Sequence, residues 1–309
     1  MKILIVGNGK HVKKRIVNSL LKLPDLSELF ILDRNVTKKI IKNNVVYLNY
    51  EDLFSLDITF DSIIIATPPS SHTEVLRNIY NLSEMFIIEK PLTTLKKDLN
   101  DENIFELYKD KHIYDSLMYL FHPLWKEAND IFDKEEVNEV SATFTIPEID
   151  EDDFRFESSK GGGFMFDMGI YPISLFFELS NEKFTVEKLN INYSDKFDVD
   201  INGELKMKTS DNIKFHGEWG ITGNYKNELL LRTADKEYYF PFIFSKPDDY
   251  LSYYEVKTNG KLLKTEIGNF DQFFEMYKEY NNKLFKPDPY YKSKAKNLYN
   301  FIFDLLGIK

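Results

Sequence analysis

The amino-terminal third of the chain alternates short, wholly apolar runs with stretches of helical periodicity, and few folds accept that pattern. Runs such as Ile3-Leu4-Ile5-Val6, Ile63-Ile64-Ile65 and Met85-Phe86-Ile87-Ile88 read as buried strands. Strands are expected at 2–6, 28–33, 44–48, 62–66 and 85–89, with helices at 10–22, 71–81 and 95–109. Parallel strands joined by helical crossovers make a doubly wound sheet. From Ile113 onward the rhythm changes. Beyond a helix at Pro123–Phe132 come longer strands with polar alternation, at 137–146, 184–194, 198–208, 212–220, 226–232 and 236–243. Thr209-Ser210-Asp211-Asn212 and Thr222-Gly223-Asn224 look like hairpin turns, so this half is expected to be a mostly antiparallel sheet. Two amphipathic helices, at 269–281 and 290–306, finish the chain. The expected fold class is α/β, with the doubly wound sheet followed by an α+β domain.

Composition narrows the partners. A chain of 309 residues with 43% hydrophobic content exceeds one ordinary core and suits two domains, taken as 1–122 and 123–309. The formal net charge of −10 argues against nucleic acid and anionic membranes, which leaves small molecules as the expected partners. With no cysteine, thiol nucleophiles, thiolate metal sites and disulfides are excluded. That absence fits the cytoplasm. The apolar opening Met1–Gly7 is too short for a secretory signal, and no stretch approaches the roughly 20 apolar residues of a membrane span. The five histidines show no close-spaced ligand pair, so no metal is expected.

The first strand runs into Gly7-Asn8-Gly9-Lys10-His11-Val12, a glycine turn that opens a helix. Such a turn lets a pyrophosphate approach the backbone, which makes Gly7, Gly9, Lys10 and His11 candidate cofactor contacts; the third glycine of the usual fingerprint is Val12 here. Asp33 ends the second strand about 24 residues beyond Gly9, where an acid can hydrogen-bond the adenosine ribose. It favours NAD by repelling a 2′-phosphate, while Arg34 beside it is able to pair with that phosphate; the plain alternative is a helix-capping acid and a solvated arginine. After the fourth strand, Thr67, Pro68 and His72 form a stiff edge suited to a nicotinamide ribose. Glu89-Lys90-Pro91 follows the last strand of the series, outside the carboxyl ends where open α/β sheets place their chemistry. A lysine there exchanges a proton with a substrate hydroxyl if its surroundings lower its pKa; the plain alternative is a strand-end lysine with its tip in water.

The second cluster is Gly161-Gly162-Gly163 leading to Asp167 and Tyr171. If helix begins near Gly163, the carboxylate and the phenol share a face and can grip a polyol, while the glycines admit ligand or backbone closely.

In their order and spacing these elements resemble the Gfo/Idh/MocA family of oxidoreductases (glucose-fructose oxidoreductase, inositol dehydrogenase and rhizopine catabolism). The resemblance extends over nearly the whole chain. It includes Tyr119, Phe121 and Pro123, similar to a Tyr-Arg-Phe-x-Pro stretch, and Phe154-Arg155, similar to a Trp-Arg pair. It implies a Rossmann domain that binds NAD or NADP and a carboxyl-terminal domain whose large open sheet forms homodimers or homotetramers. It implies Lys90 as the proton-transferring lysine and Asp167 as the substrate-binding acid. Tyr171 stands where the family usually has a histidine, so either Tyr171 or Lys90 can be the immediate proton acceptor. Tyr119, His122, Arg155 and Lys160 complete the candidate substrate contacts; Leu120 replaces the stretch's arginine. The implied activity is hydride transfer between nicotinamide and a sugar, cyclitol or nucleotide-linked sugar. The alternative is a catalytically inactive member of that family acting as a cofactor-sensing regulator or binding protein.

Overall fold

The structure is a computed structural model that describes residues 1–42, 44–99, 111–180, 184–282 and 289–308. The chain forms two compact units: Met1–Leu117 with Phe273–Asn300, and Met118–Gln272 with Phe301–Ile308.

The first unit holds a seven-stranded sheet: β1 (Lys2–Val6), β2 (Glu28–Leu32), β3 (Ile40–Lys42), β4 (Val45–Leu48), β5 (Ser62–Ile65), β6 (Met85–Ile88) and β7 (His112–Asp115). Their spatial order is β3-β4-β2-β1-β5-β6-β7, parallel throughout except for the antiparallel β3–β4 pair. Ile3–Ile5 and Ile63–Ile65 are fully buried, as apolar runs covered on both faces must be. The doubly wound reading is correct, and β3 and β7 add an edge strand at each side. Helix α1 begins with a π turn at Val12–Ile16 and continues as α-helix over Val17–Leu20. A short helix that the periodicity does not reveal, α2 (Tyr50–Ser55), is set by a capping box in which Asn49 accepts from the Asp52 N–H and Asp52 accepts from the Asn49 N–H. Helix α3 spans His72–Ile79. Most of the helix expected at 95–109 lies outside the described residues; its first described part is a 3₁₀ turn at Lys96–Leu99.

The second unit begins with α4 (Pro123–Lys134) and builds an eight-stranded sheet: β8 (Glu139–Ile146), β9 (Phe184–Tyr193), β10 (Asp200–Thr209), β11 (Lys214–Ile221), β12 (Lys226–Arg232), β13 (Lys236–Pro241), β14 (Leu251–Thr258) and β15 (Lys261–Asn269). The order is β15-β14-β13-β12-β8-β11-β10-β9, with β8–β11 the parallel pair among antiparallel neighbours. Thr209–Asn212 joins the paired strands β10 and β11, as a hairpin turn should. Thr222-Gly223-Asn224 does not, because β8 lies between β11 and β12. The loop instead steps across the end of β8, tied there by Thr222 N–H on the Ile146 carbonyl and Thr145 Oγ1 on the Asn224 carbonyl.

A π turn at Met165–Gly169 leads into α5 (Ile170–Leu179), which packs on β8 and β11 through Tyr171–Phe144 and Phe176–Phe215 ring contacts. Trp219, fully buried, is the anvil of this packing: a Cβ on Gly203 would lie 2.2 Å from its ring and one on Gly169 3.1 Å. The chain ends in α6 (Gln272–Tyr280) and α7 (Pro289–Leu305). Among the described residues no helix is long and apolar enough to cross a membrane.

Candidate active site

The carboxyl ends of β1, β5 and β6, three neighbours in the first sheet, bring most of the expected cofactor residues together. Gly7 leaves β1 at φ +115°, and a Cβ there would sit 2.5 Å from the Ala66 carbonyl at the end of β5. Only glycine fits. Gly9 is different: a Cβ would meet nothing within 4 Å, so no protein atom fills the space that its missing side chain leaves. Val12, in place of a third glycine, is buried at the start of α1. Lys10 and His11 are exposed at the start of that helix.

Asn8, between the two glycines, donates its side-chain N–H to Asp33 Oδ2 at 2.8 Å, and Asn35 donates its backbone N–H (2.9 Å) and side-chain N–H (3.0 Å) to Oδ1. Burial pushes the Asp33 carboxyl up, but these donors and Lys13 outweigh it and hold it below the ordinary range. Asp33 is therefore an oriented carboxylate beside the glycine turn, and Arg34 is exposed next to it. Asn8 Oδ1 is buried without a hydrogen-bond partner. An orphaned acceptor, a glycine facing open space and an anchored ribose-type acid fit a dinucleotide cofactor.

His72 is buried at the start of α3. Its Nε2 lies 2.9 Å from the Thr67 carbonyl and its Nδ1 3.0 Å from the Pro91 carbonyl. Lying between the two carbonyls and, when neutral, able to donate its single N–H to one of them, it packs the loop after β5, with Thr67 and Pro68, against the loop after β6. Burial pushes its pKa down, against the pull of those carbonyls. Glu89 and the half-buried Lys90 end β6. Burial raises the Glu89 carboxyl, but His11, whose Nε2 is 3.6 Å away, and Lys90 bring it below its ordinary value.

In the second unit, Asp167 lies in the π turn before α5, and Arg155 Nε donates to its Oδ2 at 2.6 Å while Arg155 Nη1 reaches Asp153 Oδ1 at 3.0 Å. Burial works against the guanidinium's charge, but Asp167 and Asp153 raise its pKa further. The triple glycine serves backbone approach. A Cβ on Gly162 would strike the Arg155 carbonyl at 2.5 Å, and one on Gly163, at φ +113°, the Asp200 carboxylate at 2.6 Å. Asp200, at the start of β10, accepts from the Met165 N–H at 2.6 Å and so caps the turn that carries Asp167. Burial pushes its pKa up to about 6 against the pull of that N–H. Nothing local in the sequence announces Asp200, which lies 35 residues away from its partner.

Two of the expected substrate contacts, Tyr119 and His122, are buried within the second unit. Tyr119 is fully buried, edge-on to Trp125 and Phe244, with its hydroxyl 3.0 Å from Ser174 Oγ. His122 is fully buried and caps α4, accepting the Leu124 N–H on Nδ1; burial, then nearby Lys246, pushes its pKa down to about 3. Lys160 is exposed and pairs with Glu157 at 2.7 Å. Tyr171 is 3% exposed, packed among Tyr119, Phe144 and Phe244, with its hydroxyl donating to Met118 Sδ at 3.5 Å. Among the described residues no group of three or more His, Cys, Asp or Glu side chains could hold a metal ion.

The first unit is thus a Rossmann-type dinucleotide-binding domain. Its residues 1–112 match the Gfo/Idh/MocA family model described as "Oxidoreductase family, NAD-binding Rossmann fold". Among curated proteins, the dTDP-3,4-didehydro-2,6-dideoxy-alpha-D-glucose 3-reductase of Actinomadura kijaniata is 22% identical over 218 residues, 69% of this chain and 65% of the relative. The matched region therefore spans just under two thirds of that relative's length. A 3-ketoreductase from the same organism, solved with NADP and TDP-benzene, superposes at a TM-score of 0.86 with 18% identity, covering 98% of this chain and 95% of that one. An aldose-aldose oxidoreductase from Caulobacter crescentus, solved with glycerol, superposes at 0.84 with 14% identity, covering 100% and 97%. These likenesses establish a shared fold.

Proposed function

We propose that the protein is an NAD(P)-dependent oxidoreductase acting on a hydroxyl or carbonyl carbon of a nucleotide-linked sugar. The observation that carries this reading is the convergence at one sheet edge of the Gly7–Gly9 turn, the anchored Asp33 carboxylate and the Glu89–Lys90 strand end. The sugar class comes from the curated relatives, which act on a dTDP-linked keto sugar. The cofactor is NAD or NADP; Asp33 argues for NAD and the NADP-bound neighbour for NADP.

When bound, the nicotinamide supplies or accepts the hydride. The chain's residues supply the rest. Gly9 leaves room for the pyrophosphate and Asp33 accepts from the ribose hydroxyls. Lys90 gives a proton to the carbonyl oxygen as it is reduced, or takes one from the hydroxyl in the reverse direction. Asp167, fixed by Arg155, orients a sugar hydroxyl. Tyr171 is assigned to packing within the second unit rather than to the proton, because its buried hydroxyl donates to the Met118 thioether.

The test is direct. Purified protein is titrated with NADPH and with NADH, and then supplied with a dTDP-linked 3-keto sugar while the loss of reduced nicotinamide is followed. Saturable cofactor binding, and turnover that Lys90→Ala lowers by about a hundredfold or more to a measurable residual rate without weakening cofactor binding, are expected. Binding of neither cofactor by folded protein sinks the reading; normal turnover by Lys90→Ala removes Lys90 from it.

A further inference from the structure

The loop after Lys90 is held by a side chain from the far end of the sequence. Tyr299, on α7, is fully buried, and its hydroxyl accepts the Leu92 N–H at 2.6 Å across 207 residues of chain. The same hydroxyl donates to Asp115 Oδ2 at 3.2 Å, at the carboxyl end of β7. The direction of both bonds is forced. A backbone N–H can only donate, so the phenol oxygen must accept from Leu92, and its own proton is then free for the Asp115 carboxylate.

Lys90 sits inside a set of such ties. On its amino-terminal side the Glu89 N–H is held by the Ile65 carbonyl at 2.8 Å. On its carboxyl-terminal side the Pro91 carbonyl meets His72 Nδ1 and the Leu92 N–H meets Tyr299. One residue further, Thr93 Oγ1 donates to the buried Asp98 at 2.7 Å, and Thr73 of α3 donates to the same carboxylate oxygen at 2.6 Å. Of these ties the one through Tyr299 joins the loop to both α7 and β7. A proton-transferring group must be held to a fraction of an ångström, and its supporting contacts do that work.

We propose that Tyr299 and Asp115 are a positioning pair for Lys90. This rests on the reading of Lys90 as the proton-transferring group. Tyr299→Phe conserves ring volume but removes the hydroxyl that accepts the Leu92 N–H and donates to Asp115. The looser loop lowers kcat about tenfold or more while KM and NADPH affinity change less than about twofold. Asp115→Asn keeps an acceptor for the phenol and so retains most of the wild-type rate. In a Lys90→Ala background, Tyr299→Phe costs nothing further, because the residue it positions is gone.

The experiment measures steady-state turnover of NADPH with a dTDP-linked 3-keto sugar for these four variants, alongside hydrogen exchange of the wild-type Leu92 amide. The expected pattern is the kcat-selective loss in Tyr299→Phe, a near-wild-type rate in Asp115→Asn, no further loss from Tyr299→Phe in the Lys90→Ala background, and a strongly protected Leu92 amide. A folded Tyr299→Phe with wild-type kcat, beside a strongly impaired Lys90→Ala, overturns the positioning pair and leaves the function standing. Wild-type-like turnover in Lys90→Ala instead refutes the assigned role of Lys90. Should Tyr299→Phe not fold, or the wild type not turn over this sugar, the exchange measurement decides: an unprotected Leu92 amide overturns the inference.

Discussion

Lys246 presents a buried charge whose cost can be measured. The residue is 2% exposed, and among the described residues its ammonium meets the Ile243 carbonyl at 3.2 Å and Gln272 Oε1 at 3.5 Å, neither of them charged. Burial pushes its pKa down from 10.5 to about 7. At about 1.4 kcal/mol per pH unit, that fall makes the charged lysine about 5 kcal/mol less compatible with the fold than with the unfolded chain. The sign follows from proton counting. Between pH 7 and 10.5 the unfolded chain keeps the proton that the fold has released, so stability rises with pH across that window. It is lost again as pH falls through the folded value. Between pH 6 and about 9.5 the gain should be about 3 kcal/mol. The neighbouring His122, held at about 3, stays neutral throughout. Tyr250, raised to about 12 by burial and by Tyr253, pulls stability the other way once unfolded tyrosines ionise near pH 10, which sets the upper limit of the window. Lys246→Met removes the dependence. Both tryptophans, Trp125 and Trp219, are buried in the second unit, so urea unfolding followed by tryptophan fluorescence reports on the unit that holds Lys246. The wild type should gain against Lys246→Met as pH rises. Parallel curves for the two proteins would refute the argument.

Two further outcomes separate structural from functional roles. Gly7→Ala, with its new Cβ 2.5 Å from the Ala66 carbonyl and φ at +115°, should cost on the order of 2 kcal/mol or more of stability. Gly9→Ala meets no atom within 4 Å and should leave stability unchanged yet weaken NADH and NADPH binding by about tenfold or more, read by fluorescence titration beside a urea melt. Tyr171→Phe, which removes only a hydroxyl bound to the Met118 sulfur, should keep turnover within about tenfold of wild type and change stability by less than about 1 kcal/mol. A loss as deep as that of Lys90→Ala would return the proton to the tyrosine.

What the sequence makes legible divides along the range of the interactions concerned. The central strands of the first sheet, buried on both faces, show in the sequence because their apolar runs need no distant information. The edge strand β3 is exposed at all three positions and β7 is only four residues long with a histidine and an aspartate at its ends, so neither writes a clear pattern. Strand β15 is largely exposed and β14 mostly half-buried, and together they are rich in Lys, Glu and Tyr, yet Asn259-Gly260 between them, both at positive φ, is a local hairpin signal for the pair. The Thr222–Asn224 turn has equally good turn chemistry, but whether its flanking strands pair depends on β8, formed some 75 residues earlier in the chain, and no local residue records that.

The candidate site divides in the same way. The glycine turn, Asp33 and Lys90 are strand-end features within one short stretch each, so their chemistry and spacing are visible in the sequence. Tyr119 and His122 occupy the expected motif positions, but burial decides their role, and burial is set by Trp125, Phe244, Phe270 and Ser252 from several other elements. Asp200 and Tyr299 come from far along the chain to hold, respectively, the turn that carries Asp167 and the loop that carries Lys90. The groups assigned to the chemistry can be read from local sequence because each must stand at a strand end or a helix start. The groups that hold them in register are free to arrive from anywhere the fold brings them, so only the three-dimensional structure names them.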